Sequence, residues 1–235
     1  MSNLAHVRDL VLARMSPGAP LIVGVTGAVA AGKSTFAGQL QAALADTPDT
    51  AGVEVVCTDG FLLPNAALEA RGLSMRKGFP ESYDLEAMQQ ALAAIRAGPT
   101  TFPGYSHVTY DIDPALARQI EPPGALIVEG LALHDPAAAG LDALIYLDAE
   151  EAHLEAWFCE RFIGLWREAE SDPASFYARF RSLDEVGART LAQQVWRGVN
   201  LPNLRDHIVN ARGVADIVVR KGPAHEILDV VEAGP

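Results

Sequence analysis

Basic residues and cysteines are scarce in this chain of 235 residues. It has 18 lysines and arginines against 30 aspartates and glutamates, which gives a formal net charge of −12. Because nucleic-acid and anionic membrane surfaces attract basic patches, this balance argues against both kinds of partner and favours a small-molecule substrate. The two cysteines, Cys57 and Cys159, are far apart in sequence and indicate neither a disulfide framework nor a metal site.

Long hydrophobic runs are also missing. No stretch approaches the roughly 20 apolar residues that a membrane-spanning helix needs. Residues 1–15 mix apolar and charged side chains at helical spacing, which predicts an amphipathic helix rather than a signal peptide. We therefore expect a cytoplasmic protein. Hydrophobic residues make up 49% of the chain, so residues 1–235 are predicted to form a single domain with a sizeable core.

What the sequence does contain is a glycine-rich loop of the kind that binds phosphates. Residues 27–34 read GAVAAGKS and fit the pattern G-x-x-x-x-G-K-[ST] between a predicted strand and a predicted helix. Backbone N–H groups of such a loop surround phosphate oxygens, and the positive end of the helix dipole points at them. The lysine supplies charge for the β- and γ-phosphates of ATP, and the serine hydroxyl is a ligand for Mg²⁺. The predicted nucleotide-binding residues of the loop are Gly27, Ala28, Val29, Ala30, Ala31, Gly32, Lys33, Ser34 and Thr35.

Strand-like and helix-like segments alternate along the chain, which predicts a parallel sheet with helices on both faces. The predicted strands are residues 21–25, 53–57, 126–128, 144–147 and 217–219. We therefore expect the α/β three-layer sandwich of P-loop NTPases, with a mostly parallel five-stranded sheet. Residues 150–210 are predicted to form a helical, aromatic-rich lid and acceptor region.

Acidic residues follow three of these strands. Since ligands of such sheets bind beyond the carboxyl ends of the strands, Asp59 and Glu129 are candidate site residues. One carboxylate would accept the proton of an acceptor hydroxyl, and the other would hold Mg²⁺ directly or through water. Each is followed by a glycine, which would let the backbone turn close to a ligand. Asp148 opens a predicted helix, and we expect it to cap that helix.

Several further blocks of sequence resemble one enzyme family. They are residues 58–65, 71–73, 77–84, 105–107, 110–111, 127–131, 172–177 and 196–204, with Lys221 and His225. Together they resemble bacterial type I pantothenate kinase, a member of the phosphoribulokinase/uridine kinase superfamily of P-loop kinases. The blocks KGFPESYD and YSH are more specific to that family than the phosphate loop is.

The resemblance implies a homodimeric kinase that uses MgATP to phosphorylate the primary hydroxyl of pantothenate, the first step towards coenzyme A. It implies that Asp59 is the catalytic base, assisted by Lys33 and Arg161, with Ser34 and Glu129 at Mg²⁺. It also implies adenine contacts from Lys221 and His225. The implied substrate-binding residues are Asp59, Tyr105, His107, Phe158, Arg161, Phe162, Phe176, Tyr177 and Asn200. Without the resemblance, His107 is equally consistent with a structural residue, and Arg161 is consistent with a surface residue of a helix. The aromatic side chains are then equally consistent with a helix core.

Three departures from the family pattern affect these expectations. Phe158 replaces a tyrosine that helps to hold pantothenate, and Gly38 replaces an arginine that the family uses in feedback by coenzyme A. The chain also lacks much of the family's N-terminal extension, so we expect part of the family's adenine contact to be absent. It is shorter than the family pattern between Gly130 and Ala143 as well. We therefore expect weakened feedback. Two alternatives stay open, namely a related kinase for a sugar, nucleoside or glycerate, and a nucleotide-binding regulator without an acceptor.

Overall fold

The computed structural model of the protein describes residues 2–47, 50, 52–135, 137 and 139–233. Its strands are β1 (Leu21–Gly27), β2 (Val53–Cys57), β3 (Thr100–Phe102), β4 (Tyr105–Ser106), β5 (Asp111–Ile112), β6 (Arg118–Ile120), β7 (Ala125–Glu129), β8 (Ala143–Asp148), β9 (Ile217–Lys221) and β10 (Ile227–Glu232). Its α-helices are α1 (Asn3–Leu12), α2 (Lys33–Ala45), α3 (Asn65–Ala70), α4 (Leu85–Ala94), α5 (Glu151–Glu168), α6 (Glu185–Val195) and α7 (Leu201–Asp206).

The described residues form a central sheet of six strands in the order β10-β9-β8-β1-β7-β2. The five strands predicted from the sequence are all present and run parallel, which confirms a mostly parallel α/β sheet. The predicted count of five is wrong, because β10 adds an antiparallel strand beside β9. Most of β10 is exposed at the sheet edge, so it lacks the continuous apolar run that marks the buried strands.

The position of β1 determines where a ligand can bind. This strand is buried along its whole length and lies between β7 on one side and β8 on the other. From β1 the chain runs to β2 on one side, and from the neighbouring β8 it runs to β9 on the other. Connections that diverge in this way open a crevice at the carboxyl ends of the strands. The register brings Val25 and Cys57 level with Glu129. The phosphate loop, the turn after β2 and the end of β7 consequently meet at this crevice.

Helices cover the sheet as their sequence patterns indicate. Helix α1 buries Val7 and Val11 and packs against α2 and β10, which accounts for the predicted amphipathic N-terminal segment. Asp84 caps α4 by accepting a hydrogen bond from the Ala87 N–H at 2.9 Å. The predicted capping role of Asp148 is wrong: Glu150 is the N-cap of α5. Asp148 instead accepts a hydrogen bond from Arg212 at 3.1 Å.

Between β8 and β9 the chain is largely helical, as predicted for residues 150–210. Helices α5 and α6 enclose a second apolar cluster that includes Phe162, Trp166 and Tyr177. Helices α6 and α7 are joined by a π-turn, Trp196–Asn200, in which the Leu201 N–H donates to the Trp196 carbonyl. Pro202 explains this wide turn, since proline lacks an N–H and its ring clashes with the carbonyl four residues earlier. Among the described helices, none has the length and apolar character needed to cross a membrane.

Candidate active site

The phosphate loop has the geometry that its sequence predicts. Gly32 is the N-cap of α2 and has φ +84°, a left-handed conformation that favours glycine. Ala30 has φ +66° in the same loop, a strained value for a residue with a Cβ. Lys33 Nζ donates to the carbonyls of Gly27 and Ala28 at 3.2 and 2.9 Å. Burial lowers the pKa of Lys33, and the charges of Glu129 and Asp59 oppose that shift.

Ser34 and Glu129 are the two residues expected to bind a metal ion, directly or through water. The Ser34 hydroxyl donates to Glu129 Oε1 at 2.7 Å, which joins the start of α2 to the end of β7. Both are hard oxygen ligands of the kind that Mg²⁺ prefers. Within the described residues no group of three or more His, Cys, Asp or Glu side chains is placed to hold a metal ion. Two protein oxygens are compatible with an ion such as Mg²⁺, which is usually bound by few protein ligands together with phosphates and water.

Asp59 lies in the 3₁₀ turn Thr58–Phe61 that follows β2. Burial raises its pKa, and Glu129 acts in the same direction, whereas His107, Lys33 and the hydroxyl of Tyr83 lower it. Tyr83 is 7% exposed, and its hydroxyl lies 3.4 Å from Asp59 Oδ1. The charge of the Asp59 carboxylate therefore interacts with Lys33 of the phosphate loop and with His107 of the loop after β4.

The glycines that follow the two acids allow close packing within the protein. A Cβ at Gly60 would collide with the Pro103 carbonyl, and one at Gly130 would collide with the side chain of Thr58. These glycines therefore let the turns after β2 and β7 pack against the protein. The predicted close approach of their backbone to a ligand stays a prediction.

The six aromatic residues predicted to bind the acceptor form a continuous aromatic wall together with Tyr110. It consists of Tyr105, His107, Tyr110, Phe158, Phe162, Phe176 and Tyr177, whose neighbouring ring centroids lie 4.8–6.3 Å apart. The hydroxyls of Tyr110 and Tyr177 are 2.9 Å apart. Burial raises the pKa of Tyr105 and of Tyr177, so both phenols stay neutral hydrogen-bonding groups. Three separate chain segments meet in this wall: residues 105–110, α5 and the 3₁₀ turn Phe176–Phe180.

Arg161 and Asn200 belong to elements that form or contact the aromatic wall, because α5 carries Phe158 and the ring of Trp196 in the π-turn packs near Phe158. Arg161 is exposed on α5, and its charge acts on both Lys33 and Tyr177. Within the described part of the chain it forms no ion pair, so its guanidinium is available for a phosphate or carboxylate. Asn200 ends the π-turn, and its buried Nδ2 has no hydrogen-bond partner among the described residues. Such a donor is costly to leave unpaired unless a ligand engages it.

The two residues expected at the adenine ring lie at the other end of the phosphate loop. Lys221 ends β9, and its Nζ donates to the Ala31 carbonyl at 3.0 Å. His225 lies in the turn before β10, with its Nδ1 3.4 Å from that ammonium. Burial lowers the pKa of Lys221, and burial with the Lys221 charge lowers the pKa of His225.

The model of the phosphoribulokinase / uridine kinase family matches residues 22–158, which is more than half of the chain. This chain belongs to that family. The match covers the phosphate loop, Asp59, Glu129 and the first turns of α5. The kinase is therefore a phosphotransferase that uses a nucleoside triphosphate.

Two relatives of this kinase are pantothenate kinases. The one from Sorangium cellulosum (strain So ce56) is 44% identical over 235 residues, covering 96% of this chain and 76% of its own. The one from Xanthobacter autotrophicus (strain ATCC BAA-1158 / Py2) is 45% identical over 225 residues, covering 90% and 70%. A solved structure from Silicibacter sp. TM1040, provisionally assigned as a fructose transport system kinase, is 28% identical with a TM-score of 0.72 and covers 92% of this chain and 96% of its own.

Sequence reasoning assigned no role to three further residues of this kinase's site: Lys77, Tyr83 and Tyr110. Lys77 Nζ donates to Asn65 Oδ1 at 2.6 Å and lies 5.1 Å from the Tyr105 ring centroid. Burial lowers the pKa of Lys77, while Asp111 and Asp59 oppose the shift. All three belong to blocks that carried the family resemblance. The resemblance of these blocks to the family was therefore a signal for the three residues. The contacts that their side chains make depend on tertiary packing, which the blocks do not reveal.

Proposed function

We propose that this kinase transfers the γ-phosphoryl group of MgATP to the primary hydroxyl of pantothenate. The observation that carries the proposal is the environment of Asp59. Its carboxylate is influenced by Lys33 and Glu129 on the nucleotide side and by His107 on the acceptor side. A group in that position can accept the proton of an acceptor hydroxyl as its oxygen attacks the phosphate.

The chain's own side chains have distinct parts in the transfer. Asp59 orients the acceptor hydroxyl and takes its proton, and Tyr83 holds the carboxylate. Lys33 and Arg161 neutralise charge on the transferring phosphoryl group. Ser34 and Glu129 would hold Mg²⁺, which when bound neutralises charge on the β- and γ-phosphates. The aromatic wall excludes water, which would otherwise compete with the acceptor for the phosphoryl group.

The acceptor assignment is supported by the pantothenate kinases that are 44–45% identical to this chain. It is also supported by the polar groups along the aromatic wall. Tyr105, His107 and the unpaired Nδ2 of Asn200 offer hydrogen bonds to an acceptor that carries hydroxyl, amide and carboxylate groups. Arg161 offers a bidentate partner for a carboxylate or phosphate.

A substrate screen coupled to ADP release tests this assignment. Pantothenate is expected to give turnover far above the ATPase background, whereas fructose, uridine and glycerate are not. Turnover with a sugar and none with pantothenate would overturn the proposal in favour of a sugar kinase, the activity provisionally assigned to the Silicibacter protein. Binding of ATP without turnover of any acceptor would indicate a regulator.

We further infer that coenzyme A regulates this kinase weakly. Gly38 lies exposed on α2, and a Cβ built there would meet no atom within 4 Å. Packing therefore does not require glycine at the position where the family pattern has its feedback arginine. Inhibition by coenzyme A at a fixed ATP concentration is the measurement. Strong inhibition of wild type, unchanged in Gly38→Ala, would overturn this inference.

A further inference from the structure

An aromatic pair joins α5 to the nucleotide end of the site. The Trp157 indole stacks on the His225 imidazole with 3.7 Å between centroids and 23° between planes. Trp157 Nε1–H also donates to the Pro223 carbonyl at 2.9 Å. One side chain of α5 therefore contacts the turn between β9 and β10 twice, through a ring face and through a hydrogen bond.

That turn lies directly over the phosphate loop. A Cβ at Gly32 would lie 2.9 Å from Lys221 Nζ and 3.6 Å from His225 Nδ1. His225 has φ +62°, a conformation that a residue with a side chain adopts at a cost and that is common at functional sites. His225 is exposed as a residue although Trp157 covers one face of its ring. The imidazole therefore keeps solvent-exposed surface beyond its contact with Trp157.

We propose that Trp157 is a positioning residue of the nucleotide site, which holds the His225 imidazole in place as the platform on which the adenine ring stacks. The proposal rests on the proposed function only in taking ATP as the nucleotide. An aromatic ring backed by a second ring is restricted in its rotation, so it presents a fixed face to a base. Stacking on such a face strengthens the binding of a nucleotide and depends little on which base the nucleotide carries.

The same helix face reaches the phosphate end of the nucleotide. Trp157 and Arg161 are four residues apart on α5, and residues at that spacing lie on one face of a helix. The charge of Arg161 acts on Lys33 of the phosphate loop and contributes to lowering the pKa of Lys33. The contact between Trp157 and His225 therefore also fixes the position of α5 relative to the bound nucleotide.

Calorimetric titration with a non-hydrolysable ATP analogue and Mg²⁺, without any acceptor, tests the role of Trp157. We expect Trp157→Ala to weaken binding of the analogue about tenfold, which is within the range for one lost base stack. Trp157→Phe keeps a ring beside His225 and should bind within about threefold of wild type. Inorganic tripolyphosphate, which has no base, should bind wild type and Trp157→Ala equally. Because no acceptor is used, these results do not depend on whether pantothenate is the substrate.

The matched control is Trp166→Phe. Trp166 lies on the same helix and its Nε1–H likewise donates to a backbone carbonyl, that of Phe180 at 3.0 Å, but it lies in the second apolar cluster. It should bind the analogue as wild type does. ATP should quench tryptophan fluorescence in wild type and in Trp166→Phe but much less in Trp157→Phe, which tests the proposal even if Trp157→Ala does not fold. Wild-type affinity in a folded Trp157→Ala, equal losses for tripolyphosphate, or undiminished quenching in Trp157→Phe would each overturn it.

Discussion

The nucleotide half and the acceptor half of the site are built differently. The nucleotide half lies on the carboxyl ends of β1 and β7, where Ser34 and Glu129 are joined by a 2.7 Å hydrogen bond. The acceptor half is an aromatic wall made from loops and helices outside the main sheet. The first half is fixed by backbone geometry, whereas the second is fixed by side-chain packing.

This difference separates the chemistry that the family shares from the part that selects a substrate. Phosphate groups are alike in every kinase, so backbone N–H groups and a few charges on a rigid sheet edge suffice for them. An acceptor must be distinguished by shape and hydrogen bonds, which loop and helix side chains supply without altering the sheet. Asp59 lies where the two halves meet, so its substitution should affect the transfer more than any change within one half.

The largest effect is therefore expected for Asp59→Asn. Loss of a general base lowers turnover by about 10²- to 10⁴-fold, while MgATP should still bind because the phosphate loop is intact. The measurement is kcat with saturating pantothenate, together with calorimetric titration of the ATP analogue. Turnover within tenfold of wild type would show that the carboxylate is not the base.

Lys33→Ala tests the nucleotide half alone. Removing one preorganised charge that stabilises the transferring group typically lowers kcat by about 10²- to 10³-fold, and the affinity for ATP should fall as well. The KM for pantothenate should stay nearly constant, because the aromatic wall does not include this residue. A rise confined to the pantothenate KM would contradict the division into two halves.

Tyr83→Phe removes the hydroxyl that lies 3.4 Å from Asp59 Oδ1. That hydroxyl lowers the Asp59 pKa by stabilising the ionised form, in opposition to burial. The base must be ionised to act, so turnover falls as the pH drops through its pKa. Without the hydroxyl the pKa rises, and the acid limb of the pH–rate profile moves to higher pH. A hydrogen bond of about 1 kcal/mol corresponds to roughly fivefold lower kcat/KM on that limb, and an unchanged limb would contradict the contact.

A similarly small effect is expected for Phe158→Tyr, which tests the acceptor half. Phe158 packs near Phe162 and Trp196, with ring centroids 6.3 and 5.9 Å away. One restored hydrogen bond of about 0.5–1.5 kcal/mol would lower the KM for pantothenate by roughly 2- to 12-fold. The KM for ATP should not change. A higher KM for pantothenate would show that the pocket is arranged for an apolar group here.

The sequence predicted the geometry of the proposed nucleotide half because its signals are local. The pattern from Gly27 to Ser34 lies in one loop, and parallel strands bring Asp59 and Glu129 to one edge by topology alone. The edge strand β10 was missed because exposed, charged residues interrupt its apolar pattern. Asp148 was misassigned because its partner, Arg212, is 64 residues away, and no local pattern reports such a pair.

The acceptor half was accessible only through resemblance. Tyr110, Phe162 and Tyr177 meet because the turn before β5, helix α5 and the 3₁₀ turn Phe176–Phe180 pack together. Spacing along the chain does not encode that contact. Tyr83 shows the same limit. It lies in a recognised sequence block, yet its contact with Asp59 depends on how the turn after β2 packs against residues 80–83.

The π-turn before α7 has a consequence for how this kinase can change over evolutionary time. The turn holds one residue more than an α-helical turn, and each residue rotates a helix by about 100°. Deletion of exposed Gly198 would therefore turn the amide of Asn200, together with α7, to a different side relative to α6. A single lost codon would be enough to redirect this hydrogen-bond donor, while the sequence of the phosphate loop stays unchanged.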